Sequence, residues 1–305
     1  MTFQTLLRRV TLLLAVALMS TSCLQAQNQV GTYLFALDKQ GYATSYLFGT
    51  IHLPDKRVTQ LPEMVLEKFR AADGVFTEIP MEPEMMLGAA QAMMLTDGRS
   101  LEDILPAETL EGFERELHAI HPEFSATPYM RLKVWAAATM LLTLETQMKN
   151  PGLNAMDLAL YSGAKEAGKR VGGIENPEEQ LALFEAFSEA EQIELMDSML
   201  GYMKEIREAG GSYTDDLVEA YLSGDLQKIE EMMASYEMGD SALQQKFEKL
   251  FITDRNELMA KRIEMRLQAN PSKSYFFAIG AAHLYGTNGV PKLLKDAGFE
   301  ISRVQ

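Results

Sequence analysis

The chain has 305 residues, enough to bury one large core or two small ones. Lysine and arginine number 28 against 43 aspartates and glutamates, a formal net charge of −15. No basic patch is dense enough to neutralise phosphates, which argues against nucleic acid as a partner. Cys23 stands alone, so no internal disulfide can form.

In chain order, residues 1–22 read as an export signal. Arg8 and Arg9 precede the apolar stretch 10–19, and the small residues Ser20, Thr21 and Ser22 lead to Cys23. The apolar stretch is too short to span a bilayer as a helix. The pattern resembles a bacterial lipobox, with Ser20 where a leucine is usual. It predicts removal of 1–22, a lipid anchor on Cys23 and a tether over 23–30, which puts the protein in the bacterial envelope. Ordinary cleavage after Ala26 would leave it soluble in the periplasm.

A folded region is expected over 31–305. Apolar runs at 32–37 and 44–52 predict two strands, joined by a hairpin turn rich in Asp38, Lys39, Gln40 and Gly41. Helical spacing of apolar residues follows over 61–73, then a strand over 74–80. Residues 82–150 read as helical, a strand is expected over 169–175, and Asn176 before Pro177 with Glu179 marks a capped helix start. Residues 178–268 again read as helical, followed by a strand over 274–283, a helix over 290–299 and a strand over 299–305. The alternation predicts an α/β fold: a central, mainly parallel sheet with an N-terminal hairpin and large helical insertions at about 82–150 and 178–268. Twenty methionines raise copper binding as a reading. Most lie in helical stretches such as 84–95, where core filling is the expected role.

Two of the four histidines end the same phrase. Gly49-Thr50-Ile51-His52 and Gly280-Ala281-Ala282-His283 each follow an apolar strand and precede a helix. Two further strands end at Glu78 and Glu175. In an open α/β sheet the loops after the strand C-termini line the ligand crevice, so parallel strands would bring these four side chains to one edge. Imidazole with carboxylate suits a divalent ion such as zinc, manganese or cobalt. Each residue also has a structural explanation. A strand-exit histidine can hydrogen-bond a loop carbonyl, Glu78 can pair with an arginine, and Glu175 can flank the next helix. The repeated phrase on matching strand–helix units favours a site. His118 and His121 lack a carboxylate-bearing strand beside them and read as surface residues.

These phrases, with Val75–Pro80, Ala155–Phe184, Ile252–Ile263 and Phe276–Val304, resemble in order the pattern of the TraB/GumN family, which includes the TIKI proteins. The resemblance covers roughly residues 30–305 and implies a fold similar to erythromycin esterase and ChaN-type proteins. TIKI proteins are described as metal-dependent proteases acting on Wnt ligands, with two histidines and an early glutamate in the active site. The resemblance therefore gives His52, Glu78 and His283 the central, metal-binding roles and makes Arg255–Asn256 the family's Arg-Asn pair. Two departures, Ala155-Met156-Asp157 for Gly-Leu-Asp and Lys133-Val134-Trp135 for Lys-Pro-Trp, bear on pocket shape more than on the metal. The function implied is an exported hydrolase, acting on a peptide or protein through a metal-activated water. Glu175 or Asp157 would serve as general base or orient a ligand histidine, and Arg255 would neutralise an oxyanion or bind a peptide carboxylate. No Gly-x-Ser-x-Gly elbow is present. The alternative is a non-catalytic periplasmic lipoprotein that binds a peptide, a metal or haem.

Overall fold

The computed structural model describes residues 32–235 and 241–304; the export signal, Cys23 and the tether lie outside them. Six strands, β1 (Leu34–Asp38), β2 (Ser45–Thr50), β3 (Gly74–Thr77), β4 (Arg170–Gly173), β5 (Tyr275–Gly280) and β6 (Glu300–Arg303), form one sheet in the order β4-β3-β5-β2-β1-β6. β1 and β2 pair as an antiparallel hairpin, its turn closed by Gly41 at φ 85°. β2, β5, β3 and β4 pair in parallel, and β6 returns antiparallel along β1.

Sequence explains the order. β5 reads Tyr-Phe-Phe-Ala-Ile-Gly with every residue buried, as a strand covered on both faces requires. The edge strands β4 and β6 are only partly covered, and both carry arginine, which blunts an exposed edge. The ladders end earlier than their apolar runs suggest. β5 stops at Gly280 and the chain turns through Ala281–His283, while β3 stops at Thr77, one residue before Glu78. The four site residues therefore sit in the turns just past the strands, not on the ladder.

The sheet and its covering helices form one core around Phe48, Phe76, Phe276 and Phe277. A second core of Leu101, Phe113, Leu117, Trp135, Met196 and Met199 lies wholly among helices. The expected helical stretch 82–150 is broken at 93–100 and at 121–133, where Met94 and Leu132 make an isolated bridge. Pro122 and Pro128 disfavour a continuous helix there. The methionine expectation is corrected for 84–95. The helix Pro83–Ala92 buries none of its residues, and Met85, Met86 and Leu87 face outward. The methionines that fill core are Met156, Met196, Met199 and Met259. Among the described residues no helix is long and apolar enough to cross a membrane.

A candidate metal centre at the strand ends

Parallel pairing sets Thr50 opposite Gly280, so the two Gly-x-x-His turns leave the sheet side by side. The two glycines do different work. A Cβ on Gly49 would lie 2.8 Å from the Tyr33 Cβ and even closer to Leu284, so this glycine permits packing. A Cβ on Gly280 would lie 3.2 Å from Glu78 Oε1 and 3.3 Å from His52 Nε2, with His283 Cδ2 at 3.6 Å. Gly280 thus keeps open the space between the three residues, and its N–H donates to Glu78 Oε1 at 2.7 Å.

Each imidazole is held by its Nδ1. Asp157, in the first turn of the helix Met156–Glu166, accepts the Thr50 hydroxyl on Oδ1 at 2.6 Å and meets His52 Nδ1 with Oδ2 at 2.8 Å. A carboxylate only accepts, so His52 Nδ1 carries the hydrogen. On the other side, Asn256 Nδ2 donates to the Asn288 carbonyl at 2.9 Å, which turns Asn256 Oδ1 toward His283 Nδ1 at 2.6 Å. His283 Nδ1 is then also the donor. The two Nε2 atoms face Glu78 Oε1, at 3.7 Å from His52 and 3.8 Å from His283.

Three acceptors that face one another repel unless a cation lies between them. The charge balance makes the same demand. Glu78, Asp157 and Glu175 are buried carboxylates, and the Arg255 guanidinium pairs with Glu78 and Glu175. Its Nε and Nη2 grip Glu175 at 3.0 and 2.7 Å, and Nη2 reaches Glu78 Oε2 at 2.6 Å. Gln180 Nε2 bridges the same two carboxylates at 3.2 and 3.1 Å. The Glu175 N–H donates to the Glu78 carbonyl at 2.7 Å and ties the ends of β3 and β4 together.

Ionisation follows from these neighbours. Asp157 raises the His52 pKa well above its usual value; burial opposes this and Glu78 reinforces it. A proton on His52 Nε2 is the natural stand-in for a metal ion. Burial pushes His283 down to about 3, with Glu78 offsetting part of the effect. Burial pushes Glu78 upward, but Arg255 and His52 outweigh it and hold its carboxyl well below the usual range. His283 is therefore neutral and Glu78 anionic at neutral pH.

Two imidazole nitrogens, a carboxylate and the space over Gly280 are the donor chemistry of a divalent-ion site. As they stand, no group of three or more His, Cys, Asp or Glu side chains among the described residues is arranged to hold an ion. Donors held about 2.1 Å from an ion in tetrahedral geometry stand about 3.4 Å apart, so each histidine, at 3.7 and 3.8 Å, would have to approach Glu78 Oε1 by a few tenths of an ångström. The His52 side chain keeps 58 % of its surface exposed, which leaves one side of the centre open to solvent.

All seven residues singled out in the sequence thus meet at one sheet edge. His52, Glu78 and His283 face one another, Asp157 and Asn256 stand behind the histidines, and Glu175 and Arg255 stand behind Glu78. Sequence reasoning missed Gln180 and Thr50. Thr50 lies inside the Gly-x-x-His phrase, and Gln180 lies on the first turns of the helix that Asn176 starts. His118 and His121 lie at the surface, His118 beside Glu114.

Known proteins resemble the chain over most of its length. The TraB/PrgY/gumN family pattern matches residues 34–303, which include every residue of the centre. Metalloprotease TIKI2 of Danio rerio is 26 % identical over 323 residues, covering 90 % of this chain and 61 % of the relative. Metalloprotease TIKI1 of Homo sapiens is 26 % identical over 322 residues, covering 90 % and 62 %. The uncharacterized protein YbaP of Shigella flexneri is 26 % identical over 271 residues, covering 84 % and 89 %. The chain spans about three fifths of the length of the TIKI relatives. No solved structure matches it. With the family pattern running from the first strand to the last, the chain belongs to the TraB/PrgY/gumN family.

Proposed function

We propose that this protein is a metal-dependent hydrolase that cleaves peptide bonds, with His52, Glu78 and His283 as ligands to zinc, manganese or cobalt. The observation that carries it is the convergence of two Nε2 lone pairs and one carboxylate oxygen, each histidine fixed from behind through Nδ1. The relatives named metalloproteases support a metal-dependent reading. When bound, such an ion supplies an open position for water and lowers that water's pKa toward neutrality.

The chain's own residues do the rest. Asp157 and Asn256 fix the histidine tautomers. Both oxygens of Asp157 are engaged, as are both oxygens of Glu175, and this favours orienting roles for the two carboxylates over that of a free general base. Arg255 draws Glu78 and Glu175 together and offers positive charge to an oxyanion or a peptide carboxylate at the open side. We also propose export, a lipid anchor on Cys23 and a fold similar to erythromycin esterase and ChaN-type proteins.

A second reading draws on the same geometry. With neither Asp157 nor Glu175 free to take a proton, the centre also suits a non-catalytic lipoprotein that holds a peptide, a metal or haem. The test is metal analysis of the purified protein, followed by a peptide-library screen with manganese, cobalt or zinc and a chelated control. Cleavage restored by metal and lost in Glu78→Gln is the expected result. Metal binding without cleavage of any peptide overturns the hydrolase and leaves the binding protein.

A further inference from the structure

Among the helices lies a cavity of about 340 Å³ that the chemistry above does not use. Its walls are rings and methionines, among them Trp135, Phe184, Phe251, Met199 and Tyr213. Protein interiors pack as densely as organic crystals and hold few voids larger than a water molecule. This one is more than twice the roughly 150 Å³ apolar cavity that takes up benzene, and it falls in the range of about 300–1,000 Å³ typical of ligand pockets.

The cavity shares two helices with the metal centre. Phe184 lies one turn beyond Gln180 on the helix Pro177–Glu185, and Gln180 bridges Glu78 and Glu175. Phe251 lies one turn before Arg255, whose Nη1 donates to the Phe251 carbonyl at 3.4 Å. Trp135 stacks on Phe184 at 4.4 Å, Phe184 meets Phe251 edge-on at 4.9 Å, and Phe251 stacks on Phe247 at 4.5 Å. Phe184 and Phe251 therefore each stand one helical turn, about 5.4 Å along the helix axis, from a residue that binds Glu78 and Glu175. An extended peptide advances about 3.3 Å per residue, so that offset is one or two residues of substrate.

We propose that this chamber receives one bulky apolar side chain of the peptide substrate, aromatic or long aliphatic, and so selects which bond reaches the strand ends. The proposal rests on the peptide-hydrolase reading. A charged side chain would lose its hydration here and meet no opposite charge among the described lining residues. Their polar groups include those of Thr139, Gln192 and two tyrosines, so acidic and basic residues are disfavoured at this position.

Trp135 is the only tryptophan of the chain, so its emission reports occupancy without catalysis. The full chain is titrated with short peptides whose bonds are N-methylated against cleavage, with Phe, Leu, Ala or Asp at the central position. The expected result is a saturable change in Trp135 emission and binding at least tenfold tighter for Phe and Leu than for Ala or Asp. Ala138→Phe, which fills the chamber from its wall, should abolish that preference while metal binding stays unchanged. Met199→Ala, which enlarges the chamber, should shift the preference from Leu toward Phe. Equal affinity for all four peptides, or an unchanged preference in both variants, overturns the proposal. Cleavage of library peptides without any apolar preference also overturns it and leaves the hydrolase standing. Selective binding in the chamber with no cleavage under any metal overturns the hydrolase and leaves the chamber.

Discussion

Two hydrogen bonds decide which nitrogen each histidine offers. Asp157 holds the Nδ1 hydrogen of His52, and Asn256, itself turned by the Asn288 carbonyl, holds that of His283. Partners of this kind typically contribute about 10–100-fold to metal affinity. Asn256→Leu should weaken metal binding by that factor in calorimetric titration, while Asn256→Asp, which keeps an acceptor facing Nδ1, should lose less. Acidity tests the other histidine. Because Asp157 raises the His52 pKa, a proton occupies Nε2 up to a higher pH than usual and competes with the metal. Metal affinity should therefore climb as pH rises through that raised pKa and level off above it. Asp157→Asn should move the climb to lower pH while lowering the plateau; an unchanged pH profile would separate His52 from the metal. The histidines and glutamates were legible because one phrase occurs twice and because carboxylates close the neighbouring strands. Gln180 and Thr50 were not, since their contacts come from helices and strands brought together only by the fold.

At the level of elements, the two Gly-x-x-His turns look alike and differ in purpose. Gly280 has φ −54°, where alanine is at ease, but its Cβ would enter the space between Glu78 and His52. Gly49 faces Tyr33 and Leu284, where a Cβ overpacks the core. Gly280→Ala should keep most of its thermal stability and lose metal binding. Gly49→Ala should lose about 1–3 kcal/mol of stability and still bind metal when folded, as read by denaturant unfolding and metal titration. The reverse pattern would mean that the space over Gly280 is not a binding space. Sequence located every strand through its apolar run, and β1 runs one residue past its expected end, to Asp38. β2, β3, β4 and β5 end early, because Ile51, Ile79, Ile174 and Ala281 continue the apolar pattern after the ladder has ended. Those overrun residues are the turns that carry the site.

Across the whole molecule, the sheet core and the all-helical core divide the labour of stability and site. Phe113 is fully buried in the helical core against Tyr129. Phe113→Ala should cost about 3–5 kcal/mol, read by denaturant unfolding, and leave metal affinity unchanged. Alternation of strands and helices made the α/β class legible, yet nothing in the helical periodicity of 82–150 and 178–268 announced a second core. Helix pairing there depends on contacts between segments roughly a hundred residues apart, such as Gly112 against Leu200. The metal itself supplies the most direct test. His52 is the better ligand to remove, because its ring is mostly exposed, whereas removing buried His283 would also strip Asn256 of its partner. Metal-stripped wild-type protein and His52→Ala are titrated with zinc, manganese and cobalt while the unfolding temperature is followed. The wild type should bind one ion and gain about 2.7 kcal/mol at a hundredfold excess over Kd, with His52→Ala matching its metal-free stability and gaining almost nothing. Equal stabilisation of both proteins, or none of the wild type by any of the three metals, would contradict a metal centre at the strand ends.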